Sequence, residues 1–199
     1  PPVKKPRVSP ADVNAIVAWI DAGAVWPDLR ARAKSSSTFI EIIDEEMEAL
    51  KASINETGAK AEYNSWDDTR VRIDLSFVDE DKLDDAIGKL DQFTDSLMWL
   101  DVSGMDLNSD FYQGLDRFPS LERLHLDRSN VSDEDLASLQ NLENLRYLNL
   151  FGTSVSDASV ELLQELPSLE KVFLANTKVT KDGVKQLRDS RADLVVVHR

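Results

Sequence analysis

The sequence predicts an α/β repeat solenoid, with parallel strands on the concave side, helices on the convex side and a helix/hairpin cap at the N-terminal end. Three observations carry this reading. Apolar residues recur every 24 positions through the second half of the chain. Each period holds a two-step apolar alternation followed by a three-step series, the marks of a strand and then a helix. A unit that short cannot bury both elements by itself, so successive units must stack.

The repeat is exact in register. Leu97, Leu121, Leu145 and Leu169 form one column, and Leu100, Leu124, Leu148 and Val172 a second. Val102, Leu126, Leu150 and Leu174 form a third, Leu107, Val131, Val155 and Val179 a fourth, and Leu115, Leu139, Leu163 and Leu187 a fifth. Full repeats therefore occupy 96–119, 120–143, 144–167 and 168–191. In LERLHL (121–126) the apolar residues at 124 and 126 alternate with polar ones, as a half-buried strand requires. Ser132, Ser156 and Thr180 are suited to accept from the free N–H groups of a following helix. Leu136, Leu139 and Leu142, like Val160, Leu163 and Leu166, lie three apart and predict one buried helical face. Pro119 and Pro167 mark the return to the next strand. VRIDLSFVDEDKLDDAIGKL (71–90) keeps the strand-then-helix order with a degraded turn, and ADLVVVHR (192–199) reads as a last strand on the C-terminal edge.

These residues resemble the leucine-rich-repeat family in its short bacterial, ribonuclease-inhibitor-like form, LxxLxLxxTxVTDxGLxxLxxLP. LRYLNLFGTSVSDASVELLQELP (145–167) and LEKVFLANTKVTKDGVKQL (169–187) carry the match, which covers 96–199 and is weaker over 70–95. The family's turn asparagine is replaced by Met105, Ser129, Thr153 and Thr177, so no continuous asparagine ladder is expected. The resemblance implies a non-catalytic module that recognises a protein partner through its concave face.

Upstream, Thr38 and Glu41 form a capping box before a stripe of Phe39, Ile43, Met47, Leu50 and Ile54, with Gly58 as the stop. AKAEY (59–63) and VRIDLSF (71–77) flank NSWDD (64–68) as strand, turn and strand. The expected organisation is thus a first segment at 1–33, a cap at 34–68 and repeats at 69–199. In the first segment SPAD (9–12) starts a helix with Ser9 as cap and Pro10 in the first turn. Val13, Ile16, Val17 and Ile20 give it one apolar face. VSPADVNAIVAWIDAGAVWPD (8–28) resembles the last helix of a planctomycete-type cytochrome c domain, matching at Pro1, Pro2, Ser9, Trp19, Ile20, Asp21, Gly23, Ala24, Trp26 and Pro27. That resemblance implies an electron-transfer haem domain whose axial Met and CxxCH lie upstream of Pro1. It also implies a periplasmic or cell-envelope parent. No haem-binding residue carries over to this chain, so no cofactor is expected within it.

Composition bounds the rest. The 199 residues include 23 Lys+Arg and 37 Asp+Glu, a net charge of -14, which argues against nucleic-acid and anionic-membrane partners. The acidity is local: residues 41–116 carry 6 basic and 21 acidic side chains, whereas 1–40 carry 6 and 3. There is no cysteine, which excludes disulfides, thiol catalysis and thioether-attached haem in this chain. No apolar run reaches the ~18 residues of a spanning helix, and PPVKKPRVSP is not a signal peptide. A start at Pro1-Pro2 suggests a longer parent.

Chemistry is sparse. His125, followed by Asp127 and Ser129, suggests a Ser–His–Asp set only on paper, since strand neighbours two apart lie ~6–7 Å from each other and no oxyanion loop is visible. A solvated strand histidine is the simpler reading. DEDKLDDAIGKL (79–90) lacks the sixth-position Gly and alternating ligands of a calcium loop. The variable strand positions remain: Trp99, Asp101 and Ser103; Arg123, His125 and Asp127; Tyr147, Asn149 and Phe151; Lys171, Phe173 and Ala175. Aromatics interleaved with charges fit both a protein-binding hot spot and simple strand propensity. Their placement on one face favours binding, with Trp99, Asp101, Arg123, His125, Tyr147, Asn149, Phe151, Lys171 and Phe173 as the partner-binding set.

Overall fold

A computed structural model describes residues 45–65 and 68–198. The helix expected from Ser9, the Thr38–Glu41 box and the cytochrome-like segment lie outside the described residues. Helix α1 (Glu45–Asn55) carries the C-terminal part of the predicted stripe: Ile54 is fully buried, and Met47 and Leu50 pack against the core. Gly58 ends it with φ +98°, a left-handed conformation that a side chain would resist. Asn55 accepts from the Ala61 N–H at 2.6 Å and so ties the helix end to the strand that follows.

That strand, β1 (Lys60–Ser65), pairs antiparallel with β2 (Asp68–Asp74), as the strand–turn–strand pattern predicts. From β2 onward every pairing is parallel. Strands β3 (Leu97–Asp101), β4 (Arg123–His125), β5 (Tyr147–Asn149), β6 (Lys171–Phe173) and β7 (Val195–Val197) follow in sequence order in one seven-stranded sheet. The connecting helices are α2 (Glu80–Lys89), α3 (Ser109–Gln113), α4 (Asp133–Leu136), α5 (Val160–Glu165) and α6 (Lys181–Ser190). The fold is an α/β solenoid of the leucine-rich-repeat type. Every residue of the five apolar columns is buried, most of them completely. At roughly 1.5–3 kcal/mol per buried aliphatic side chain, that continuous core is what holds three-residue strands together.

The convex elements are shorter and tighter than the sequence suggests. Leu136 closes the single α-turn of α4, and Ala137–Asn141 continues as a 3-10 helix in which Leu139 is buried. A strict spacing of three is the period of a 3-10 helix, where side chains three apart stack directly above one another. Each repeat also turns through one left-handed residue after its strand: Gly104 (φ 74°), Arg128 (57°), Gly152 (72°) and Asn176 (58°) recur at the repeat period.

Hydroxyls replace the asparagine ladder. Ser129, Thr153 and Thr177 each donate to the carbonyl three residues back, at 2.7, 2.8 and 2.7 Å. Carboxylates then join one repeat to the next. Asp133 accepts from the Ser156 N–H (2.8 Å) and hydroxyl (2.7 Å) and from the Ser159 hydroxyl. Asp157 accepts from the Thr180 N–H and hydroxyl at 2.8 and 2.7 Å. Burial alone would raise the Asp133 carboxyl, but these donors favour its charged form and hold it below the usual range. Within the repeats Ser132, Ser156 and Thr180 cap their helices as read from sequence, Ser132 in a full capping box with Asp135.

Candidate functional site

Because β3 to β7 pair without slippage, residues 24 apart stand side by side on the sheet face opposite the helices. Two rows result. The first runs Arg72, Trp99, Arg123, Tyr147, Lys171 and Val195; the second runs Asp74, Asp101, His125, Asn149, Phe173 and Val197. Their strand neighbours Leu100, Leu124, Leu148 and Val172 point the other way and are fully buried. Eight of the nine sequence-chosen residues therefore share this face. Phe151 does not join them: β5 ends at Asn149, and Phe151 lies in the following turn, 40% exposed and without a ring partner among the described residues.

The aromatic surface is continuous through His125. His125 stacks on Tyr147 with centroids 4.9 Å apart and planes 25° apart, and tilts against Trp99 at 5.2 Å. Tyr147 meets Phe173 at 5.2 Å. Trp99, His125, Tyr147 and Phe173 thus zigzag between the two rows as one ribbon. The expectation of a solvated histidine is corrected: its side chain is 19% exposed, wedged between two rings. Burial there pushes the His125 pKa below its ordinary 6.5, against the opposing pull of Asp101 and Asp127, whose oxygens lie 3.9 and 4.0 Å from Nδ1.

The second row is self-satisfied. Asp101 Oδ1 accepts from the Ser103 N–H at 2.9 Å, and the Ser103 hydroxyl donates to both Asp101 and Asp127. Asn149 donates to Asp127 at 2.8 Å, and its own oxygen accepts from the Phe151 N–H. The Ser129 hydroxyl is buried and committed to the Leu126 carbonyl, so it faces away from His125 and the triad arrangement does not form. Among the described residues no three carboxylate or histidine side chains converge as a metal site.

The first row has a different character. Its cations lie over rings: the Arg72 guanidinium 5.0 Å from the Trp99 centroid and that of Arg123 5.8 Å from Tyr147. Lys171 Nζ stands 4.9 Å from the centroid of Phe173. Below the row Arg70 clamps the sheet edge, bidentate to Asp68 (3.0 and 2.8 Å) and reaching Glu122 across two strands. The Arg70 hydrogen bonds hold the Asp68 carboxyl far below the usual carboxylate range. Arg72 and Asp74 were missed as site residues because β2 joins the rows through a 27-residue step, with a register shift between Val71 and Arg72. Only the alternation in VRIDL signalled them.

No helix among the described residues is long and apolar enough to cross a membrane. No protein-family model and no curated protein matches the chain. Among solved structures it is similar to a leucine-rich-repeat protein of Leptospira interrogans, at 15% identity and TM-score 0.40, over 54% of this chain and 26% of that one. It is also similar to two proteins of Listeria monocytogenes. One is an internalin (inlF), at 19% identity and TM-score 0.44, over 55% of this chain and 30% of that one. The other is internalin C2, at 20% identity and TM-score 0.38, over 56% and 45%. The chain thus spans well under two thirds of the length of these three structures.

Proposed function

We propose that this chain is a non-catalytic protein-recognition module that binds a partner through the open face of its sheet, as part of a larger cell-envelope protein. The observation that carries the reading is the ring ribbon Trp99–His125–Tyr147–Phe173, flanked by cations, on a face that no described element covers. Rings held against one another lose little side-chain freedom on binding, which is what makes aromatic anchors effective. The Ser103 and Ser129 hydroxyls are already committed to the Asp127 carboxylate and the Leu126 carbonyl, which supports binding over catalysis. The envelope setting rests on sequence resemblance alone.

The test is affinity capture with the parent chain and with the Trp99→Ala/Tyr147→Ala/Phe173→Ala variant. Proteins retained by the parent should be lost by the variant; undiminished capture removes the reading. A second reading, a docking region beside a c-type haem domain, rests on the string WIDAGAVWP (19–27). The residues present do not fit haem attachment, since the chain has no cysteine. The parent gene's upstream sequence decides this reading, and absence of CxxCH there would end it.

A further inference from the structure

The first row of the open face alternates strictly: Arg72, Trp99, Arg123, Tyr147 and Lys171 stand on successive strands. Some cations of this chain find an acid, as Arg70 does with Asp68 and Glu122, and Arg146 with Glu170. Arg72, Arg123 and Lys171 lie instead over rings and have no carboxylate within ion-pairing distance among the described residues. A ring face does not satisfy guanidinium N–H donors, so these cations keep their hydrogen-bonding capacity for something else. Arg72 and Arg123, with Trp99, also line a depression of about 280 Å³ at the N-terminal end of the row.

The spacing selects the shape of the acid. Neighbouring strands lie ~4.8 Å apart, so the three cations, on alternate strands, recur every ~9.6 Å. An extended β-segment repeats side chains on one side every ~6.7 Å and falls out of step at once. An α-helix returns to the same face after seven residues, ~10.5 Å, and misses the third cation by ~2 Å. A polyproline II segment returns after three residues, ~9.3 Å, and stays within ~1 Å over the row. Prolines between the acids would meet Trp99 and Tyr147, in the way proline-rich segments dock on aromatic surfaces.

We infer that the open face takes a polyproline II segment running across the strands with Asp or Glu at every third position. This rests on the reading that the face binds protein and names the partner's chemistry. The chain's distant negative charge opposes it little, and the nearer carboxylates of the second row, Asp74 and Asp101, stand one strand step of ~6.7 Å to the side. Charges beyond a Debye length of ~8 Å are largely screened at physiological salt, whereas the row would touch the acids directly.

The experiment measures fluorescence anisotropy of labelled peptides with the full chain. One peptide has four Glu-Pro-Pro units, one has the same composition with its glutamates clustered, and one has four Lys-Pro-Pro units; an oligothymidylate is the fourth probe. The periodic acidic peptide should bind about tenfold more tightly than the clustered one and weaken as salt rises. Arg123→Gln and Lys171→Gln should each weaken it about fivefold, the value of ~1 kcal/mol for a pair at the favourable end of exposed ion pairs. Arg123→Glu/Lys171→Glu should turn the preference to the Lys-Pro-Pro peptide, a gain that misfolding cannot produce. Equal binding of the periodic and clustered peptides, no binding, or preference for the oligothymidylate overturns the inference. If capture depends on Trp99, Tyr147 and Phe173 while the peptides fail, only the partner chemistry is wrong. Undiminished capture by the triple variant removes the face itself.

Discussion

Replacing Gly183 by alanine should destabilise this protein although it puts a better helix former into a helix. Gly183 is buried in the first turn of α6, beside the carboxylate by which Asp157 of the preceding repeat holds Thr180. A methyl on Gly183 would overlap Asp157 Oδ1, lie 2.9 Å from its Cγ and 3.3 Å from Val160 Cγ2. The carboxylate must move and lose its bonds to the Thr180 N–H and hydroxyl. Two such bonds are worth about 1–3 kcal/mol together, while alanine returns up to ~1 kcal/mol of helix propensity. The net loss is about 1–2 kcal/mol, read as a lower midpoint in urea unfolding monitored by circular dichroism. The decisive control is Asp157→Ala. In that background the methyl has only Val160 to meet, and Gly183→Ala should become neutral or stabilising by up to ~1 kcal/mol. An equal loss in both backgrounds would refute the reasoning.

Three further outcomes follow from the same geometry. Arg128 holds a left-handed turn that Gly104 and Gly152 occupy in neighbouring repeats, so Arg128→Gly should stabilise by up to about 1 kcal/mol in urea unfolding, the loss of its ion pair to the buried Asp127 offsetting part of the gain. His125 has a depressed folded-state pKa, so the unfolded chain takes up its proton first as pH falls. Its stabilising contribution is present above 6.5 and is lost as pH drops through the lower folded value. Stability curves of the parent should therefore slope downward as pH falls below 6.5, and His125→Gln should flatten that slope. Arg70→Gln removes the donors that favour the charged form of Asp68, so NMR titration should find the Asp68 carboxyl back toward the ordinary carboxylate range.

Sequence by itself determined the stacked architecture, because five apolar columns in register leave no other way to bury a strand and a helix of 24 residues. It also determined which strand residues share the open face, since the two-residue period of a strand assigns sides without knowledge of neighbours. The caps at Ser132, Ser156 and Thr180 were legible for a similar reason: their partners lie within three residues. What depended on contacts between repeats was not legible. His125 looks solvated in the string LERLHL and becomes a wedge only when Trp99 and Tyr147 arrive from adjacent strands. Phe151 keeps the alternation of its strand, yet β5 stops before it and the left-handed Gly152 follows. Gly183 reads as a weak spot in a helix, and only the neighbouring Asp157 carboxylate gives it a reason. The alternating row needed Arg72, which a register shift in β2 brings beside Trp99 after 27 residues instead of 24. Periodicity is a property of the chain and can be counted. A wedge, a clash or a shifted register belongs to two segments at once, and the fold decides it.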